Sequence, residues 1–371
     1  MKRIFITLIF TIFIFLSFSV YACAGNGDID SYKDEFSYEE MISEIDSATV
    51  EILNEIGITD ISYESIFSVT PKKVFDSFFR VLTDSLKEPF KYFVSLVGLM
   101  AVMALFTNLS HSPETVTLIG TSCVACVLAV PVISLVSDSF SVLQVMSGFT
   151  SAFTGVFCAV VSAAGGVISG SAYFGLNISI NSVLNVLLSS LSQPLTNTMC
   201  SLAFLSCFNI KSFSERISDL FKKAYIFLLG ITTTVFSGVS ALKTVLGSSA
   251  DSVAIRGVKF LVGHSLPIVG GVVSESYQSI LASLVLIKNT VGVFGIITVA
   301  VIVLPIVSEL LVWCFCLNFI STVAEIFGCF KIENLISVFK DVIILLIATI
   351  VFSALLFIIS CGMMLIFKGG I

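Results

Sequence analysis

Runs of about 20 apolar residues recur along this chain, and a run of that length is what one helical crossing of a ~30 Å hydrocarbon layer requires. Candidate spans are Tyr92–Leu109, Val116–Val136, Met146–Gly166, Ala172–Leu191, Leu195–Ile210, Ala224–Val245, Thr290–Val307, Leu310–Gly328 and Val342–Phe367. Several are short or carry Ser and Gly, with Leu195–Ile210 the weakest, so the reading is about seven to nine crossings. Inside a bilayer each backbone N–H and C=O must find its partner within the segment, so the runs read as α-helices. Composition agrees. Only 12% of the 371 residues are charged and 56% are apolar, whereas a soluble domain is about one quarter charged. There is too little polar surface to cover a water-soluble globule. The expected fold class is all-α, a polytopic transmembrane helical protein with a small extracytoplasmic N-terminal helical region.

The N-terminus has its own organisation. Lys2 and Arg3 precede the apolar run Ile4–Val20, and Ala22-Cys23-Ala24 offers small residues where a signal peptidase reads. Residues 1–24 are therefore expected to be a signal peptide cut after Ala24, an uncleaved anchor being the alternative. Residues 25–91 follow as an acidic extracytoplasmic region. Between 25 and 70 the chain carries twelve acids and one base, Lys33. Met41, Ile42, Ile45, Val50, Ile52, Leu53 and Ile56 recur there at near-helical spacing, and Val74, Phe75, Phe78, Phe79 and Leu82 make a second stripe. Short helices are expected, too small for a large core of their own.

Residues 92–371 form the membrane domain. Lys211–Tyr225 is amphipathic: Ser212 and Glu215 have capping-box spacing, and Phe213, Ile217, Leu220 and Phe221 oppose Lys211, Arg216, Lys222 and Lys223. Basic loops of this kind stay cytoplasmic. The segment 247–289 reads as two amphipathic half-helices around Leu266-Pro267 and Gly270-Gly271. Ser252, Arg256, Lys259 and Gly263 share one face of the first half, and Lys288 ends the second half beside Asn289. Such a segment lies on the interface, re-enters the bilayer or lines an aqueous path.

Catalytic and cofactor signatures are missing. The chain has no H-E-x-x-H, G-x-S-x-G, Walker A or Rossmann glycine pattern. His111 and His264 stand far apart, and Cys123-x-x-Cys126 lies in an apolar run with no nearby His, so no metal, cofactor or catalytic residue is assigned. The ten cysteines fall mostly in apolar runs, where Cys acts as a small hydrophobe. The charge pattern does not point to nucleic acid; membrane lipid is the expected surrounding. Glu309 and Glu325 fall within an apolar stretch, where a carboxylate is costly and is either functional or near a helix end. Gly166-x-x-x-Gly170, Gly292 and Gly295 report close helix packing.

The stretch Ser252-Val253-Ala254-Ile255-Arg256-Gly257-Val258-Lys259-Phe260, then Leu266-Pro267-Ile268-Val269-Gly270, then Ser283 through Gly292, resembles the stage III sporulation protein AE family. The order of signal, acidic region and many spans is similar too. The resemblance implies a protein of the mother-cell membrane around the forespore, and partnership with other stage III A sporulation proteins and the forespore protein SpoIIQ. It implies a channel or secretion-like complex between the two cells; an independent secondary transporter or permease is the alternative. Candidate functional or packing residues are Arg256, Lys259, Pro267, Gly270, Lys288, Asn289 and Glu309.

The signal and the basic loop fix an orientation that labelling tests. A cysteine placed at Ser37 should react with a membrane-impermeant maleimide in intact cells, and one placed at Ser218 should not; the opposite pattern would reverse the topology.

Overall fold

The computed structural model describes residues 38–186, 193–206 and 270–366, with short stretches and single positions between 219 and 238 and at 251, 253 and 256. Among these residues all regular structure is helical. The expected signal peptide, residues 25–37, the basic stretch 211–218 and most of the first half of segment 247–289 lie outside the described residues.

Four short helices come first: α1 (Tyr38–Ser43), α2 (Ser47–Ile56), α3 (Tyr63–Phe67) and α4 (Pro71–Ser85). Local chemistry sets their ends. Gly57 closes α2 at φ 102°, where a side chain would be strained, and its N–H turns back to the carbonyls of Asn54 and Leu53. The Ser62 hydroxyl accepts the Ser65 N–H at 3.1 Å and caps α3. Pro71 starts α4, where its missing N–H costs nothing.

The longer helices are α5 (Lys87–Leu109), α6 (Pro113–Ala163), α7 (Val167–Val186), α8 (Gln193–Ser206), α9 (Gly270–Ile326) and α10 (Phe330–Ile366). Among the described residues four stretches, Lys72–Leu109, Pro113–Ala163, Ser279–Ile326 and Lys331–Leu365, are long and apolar enough to cross a membrane, as a multi-pass membrane protein requires. In place of breaks near residues 137–145 and at 308–309, α6 runs unbroken for 51 residues and α9 for 57. At 1.5 Å per residue α9 rises about 86 Å, well beyond one ~30 Å hydrocarbon layer. Polar residues within those gaps are absorbed by the helix. Ser139, for example, donates back to the Leu135 carbonyl at 2.6 Å. Two of the chain reversals occur where glycine supplies a left-handed residue, Gly165 (φ 88°) between α6 and α7 and Gly328 (φ 71°) between α9 and α10.

α9 and α10 pair along their length and form the centre, with α6 against both. α5 is peripheral and exposes Val94, Val102, Leu105, Phe106 and Leu109. The short N-terminal helices are not a separate globule. α2, α3 and α4 rest on α9 and α1 on α6. Their apolar residues Met41, Ile45, Ile52, Leu53, Ile58 and Ile66 belong to the same core as the long helices. Arg80 of α4 pairs with Glu55 of α2 and lies 3.8 Å from Glu51, so the acids face away from that core.

The tightest packing is a ladder of rings. Phe149, Phe153 and Phe157 follow one another at four-residue spacing on α6, their centroids 5.8 and 5.2 Å apart. Phe357 of α10 meets Phe153 edge-on at 5.4 Å, and Tyr173 of α7 meets Phe157 at 5.1 Å. Two glycines of α9 make room for the ladder. A Cβ on Gly295 would fall 2.4 Å from the Phe153 ring, and one on Gly292 would fall 2.5 Å from Leu365 and 3.2 Å from Phe157. Gly292 and Gly295, two of the glycines noted in the sequence, thus seat the aromatic ladder. Gly295→Ala should cost about 1–3 kcal/mol through overpacking, seen as a lower melting temperature in detergent, while Gly98→Ala, whose added carbon meets nothing within 4 Å, should be near neutral.

Candidate functional site

Of the described candidate residues, Gly270, Lys288, Asn289 and Glu309 are spread along α9 rather than gathered at one place. Arg256 is helical and exposed, whereas Lys259 and Pro267 lie outside the described residues. Gly270 is the first residue of α9, so the second half of segment 247–289 is the start of a long helix. This corrects the reading of Lys288 as a half-helix terminus. Lys288 and Asn289 sit in the interior of α9, because the apolar periodicity on either side of them carries the helix through. Lys288 is buried at 1% exposure and Asn289 is half-buried. Glu309 is also inside α9, half-buried, beside Trp313 and near Asp138 of α6 and Glu88 of α5.

Lys288 donates from Nζ to the Met364 carbonyl at 3.1 Å, in the last turn of α10. The final carbonyls of a helix have no partners within it and carry its negative pole. A buried ammonium there satisfies a backbone group and gains from the dipole. Lys288 is therefore an internal cap, tying the α9 interior to the end of α10.

A second charged group does the same at a helix start. Asp251 is buried at 2% exposure. One of its carboxylate oxygens accepts the N–H of Ile168 and the other that of Ser169, both at 2.8 Å. These are unpaired donors in the first turn of α7, so a residue 83 positions downstream caps it. Asp251 immediately precedes the Ser252–Phe260 stretch, and it fastens the beginning of that stretch to the α6–α7 reversal. Nothing in the sequence marked it, because its partners are backbone groups.

Elsewhere Lys222 pairs with Asp341, and the Tyr225 and Thr349 hydroxyls hydrogen-bond. The helical residues around 222–227 are thereby held on α10. Lys340 of α10 donates to Asn318 of α9 at 3.2 Å. Cys123 and Cys126 are exposed and not bonded to one another, and His111 is exposed in the turn between α5 and α6. Among the described residues no group of three or more His, Cys, Asp or Glu is placed to hold a metal ion.

These contacts bind, orient and cap. Asp251→Ala should cost about 1–3 kcal/mol, because two buried N–H groups lose their acceptors. Asp251→Asn, which keeps one acceptor oxygen, should cost less. Thermal unfolding of the purified protein in detergent measures both, and equal stability of all three proteins would remove the capping role.

Comparison with known proteins matches the sequence to a known family. The sequence model for stage III sporulation protein AE aligns with residues 58–367. A curated relative, "Stage III sporulation protein AE" of Bacillus subtilis (strain 168), is 22% identical over 169 residues. That match covers 45% of this chain and spans 42% of the relative's length. No solved structure matches. With its family model extending from the end of α2 to the last turns of α10, the chain belongs to the stage III sporulation protein AE family.

Proposed function

We propose that the chain is a membrane subunit of a channel or secretion-like complex that joins mother cell and forespore during endospore formation. The observation that carries this reading is the family match over residues 58–367. Its partners are then the other stage III A sporulation proteins and SpoIIQ, and its place is the mother-cell membrane around the forespore, with the N-terminal helices on the extracytoplasmic side. The architecture suits a subunit better than a self-sufficient transporter. Secondary transporters build midplane sites from broken helices and repeated halves, and α6, α9 and α10 run without interruption. Among the described residues the charged groups with the deepest burial, Lys288 and Asp251, are occupied by backbone atoms of this same chain.

Deleting the gene should block spore formation after engulfment and leave vegetative growth unchanged. Complementation then separates contact from scaffold. Arg256 is exposed, so Arg256→Ala should impair sporulation with normal protein in the membrane; Lys288 is buried, so Lys288→Ala should lower the amount of protein itself. Spore counts beside immunoblots of membrane fractions read both, and a growth defect in non-sporulating cells would count against a dedicated sporulation subunit.

A further inference from the structure

The helical run Lys72–Leu109 is 38 residues long, about 57 Å at 1.5 Å per residue. The hydrocarbon layer takes about 20 residues of a helix, and the uncharged stretch Tyr92–Leu109 supplies that length. What precedes it, α4 and the first turn of α5, therefore begins at the edge of the bilayer core and lies outside it. The charges agree, for residues 71–91 hold five bases and three acids. The helix is also interrupted at this level. α4 ends at Ser85 and α5 begins at Lys87, because Pro89 has no N–H to give the Ser85 carbonyl.

Two rows run side by side along α4 and across this junction. Phe75, Phe79, Leu86 and Phe90 follow at steps of four and seven residues, so they share one side of the helix. All four are large, apolar and 42–60% exposed. Phe75 stacks on Phe79 at 6.4 Å and Phe90 on Phe93 at 6.0 Å. Lys73, Arg80, Lys87 and Lys91 form the second row, at steps of seven and four, and are exposed as well. Arg80 is engaged by Glu55, and Lys87 lies 2.7 Å from Asp84. The side by which α4 docks on the bundle is a third one, where Ser77 is buried and Val81 packs against the core. The apolar row is thus separate from the contact with α9.

A row of phenylalanines beside a row of lysines is the pattern of a helix lying in a membrane interface. Phenyl rings reach the boundary of headgroups and acyl chains, while lysine stems extend their ammonium groups to the phosphates. The charge pattern selects the surface. Residues 25–70 carry twelve acids and one base, so an anionic surface repels α1–α3 and attracts α4. The exposed apolar row also continues into the exposed Val94 of α5, inside the hydrocarbon-length stretch.

We propose that α4 and the first turn of α5 form an interfacial helix that binds anionic phospholipid at the bilayer surface. Phe75, Phe79, Leu86 and Phe90 enter the acyl-chain boundary, and Lys72, Lys73, Lys87 and Lys91 meet lipid phosphates. The site requires α5 to cross the membrane and is independent of the role in sporulation, so the two readings fail separately.

Tryptophan quenching of the full chain in lipid nanodiscs tests this. The chain has one tryptophan, Trp313, buried at 2% exposure, and the wild-type signal is subtracted as background. Phe79→Trp and Phe90→Trp each place a reporter in the apolar row, and Leu105→Trp places one in the hydrocarbon stretch. Lipids brominated near the top of the acyl chain should quench all three reporters by more than half. In mixed discs of equal bromine content, brominated phosphatidylglycerol should quench the two row reporters at least twofold more than brominated phosphatidylcholine, and the Leu105→Trp reporter equally. Replacing Lys72, Lys73, Lys87 and Lys91 together by Gln should abolish that difference. Row reporters quenched by aqueous acrylamide and not by bromolipid would place α4 in water. Protection from both quenchers would mean that protein, such as a second copy of the chain, covers the row. Either result overturns the proposal, as does equal quenching of the row by the two brominated lipids.

Discussion

The contact between the α6 phenylalanine ladder and the glycines of α9 is the interaction on which the bundle rests. Lipid tails are as apolar as the side chains they surround, so burying Leu or Val against another helix gains little from the hydrophobic effect in a bilayer. Shape must supply the difference. Gly292 and Gly295 leave hollows on α9, and Phe157 and Phe153 fill them. Phe294, on the same stretch of α9, meets Phe149 at 6.5 Å, and Phe357 closes the cluster from α10. Three helices are thereby fixed in register at one level. The long continuous α6 and α9 carry that register away from the cluster in both directions.

Polar groups secure what packing does not. Among the described residues, two buried cap contacts and one half-buried ion pair join elements distant in sequence: Asp251 to the start of α7, Lys288 to the end of α10, and Lys222 to Asp341. A charge inside such a bundle is costly unless fully engaged. That cost makes these contacts specific, because any other arrangement of the helices would strand them. The same logic governs the inner face of α7, where Ser169, Tyr173, Asn177 and Asn181 are buried toward α6 and α10 and the opposite face carries exposed apolar residues.

The acidic N-terminal helices take their place from the same core. On their own, α2, α3 and α4 bury a few isoleucines and leucines, too little for an independent domain of this size. Docked on α9, those side chains become part of the larger cluster, and the carboxylates that dominate this stretch remain outside it, partly answered by Arg80. A charged surface is thus held against the membrane helices by an apolar underside.

The sequence by itself determined the class of molecule. Runs of about 20 apolar residues admit few structures other than membrane helices, because the backbone must satisfy itself. Its periodicity also marked the short amphipathic helices, and its glycines marked close packing. The residues 252–292 carried the family. Only the tertiary structure decided how the runs join and what the isolated polar residues do. The gaps between candidate spans at 137–145 and 308–309 look like helix boundaries in one dimension, yet the backbone passes through both, since a polar side chain does not end a helix and a left-handed glycine does. Lys288 looks like a terminus and is an internal cap, because its partner lies 76 residues away. Asp251 gave no signal, for its partners are N–H groups that every residue but proline possesses. Local pattern specifies a helix and its faces; which face meets which neighbour is a property of three-dimensional packing.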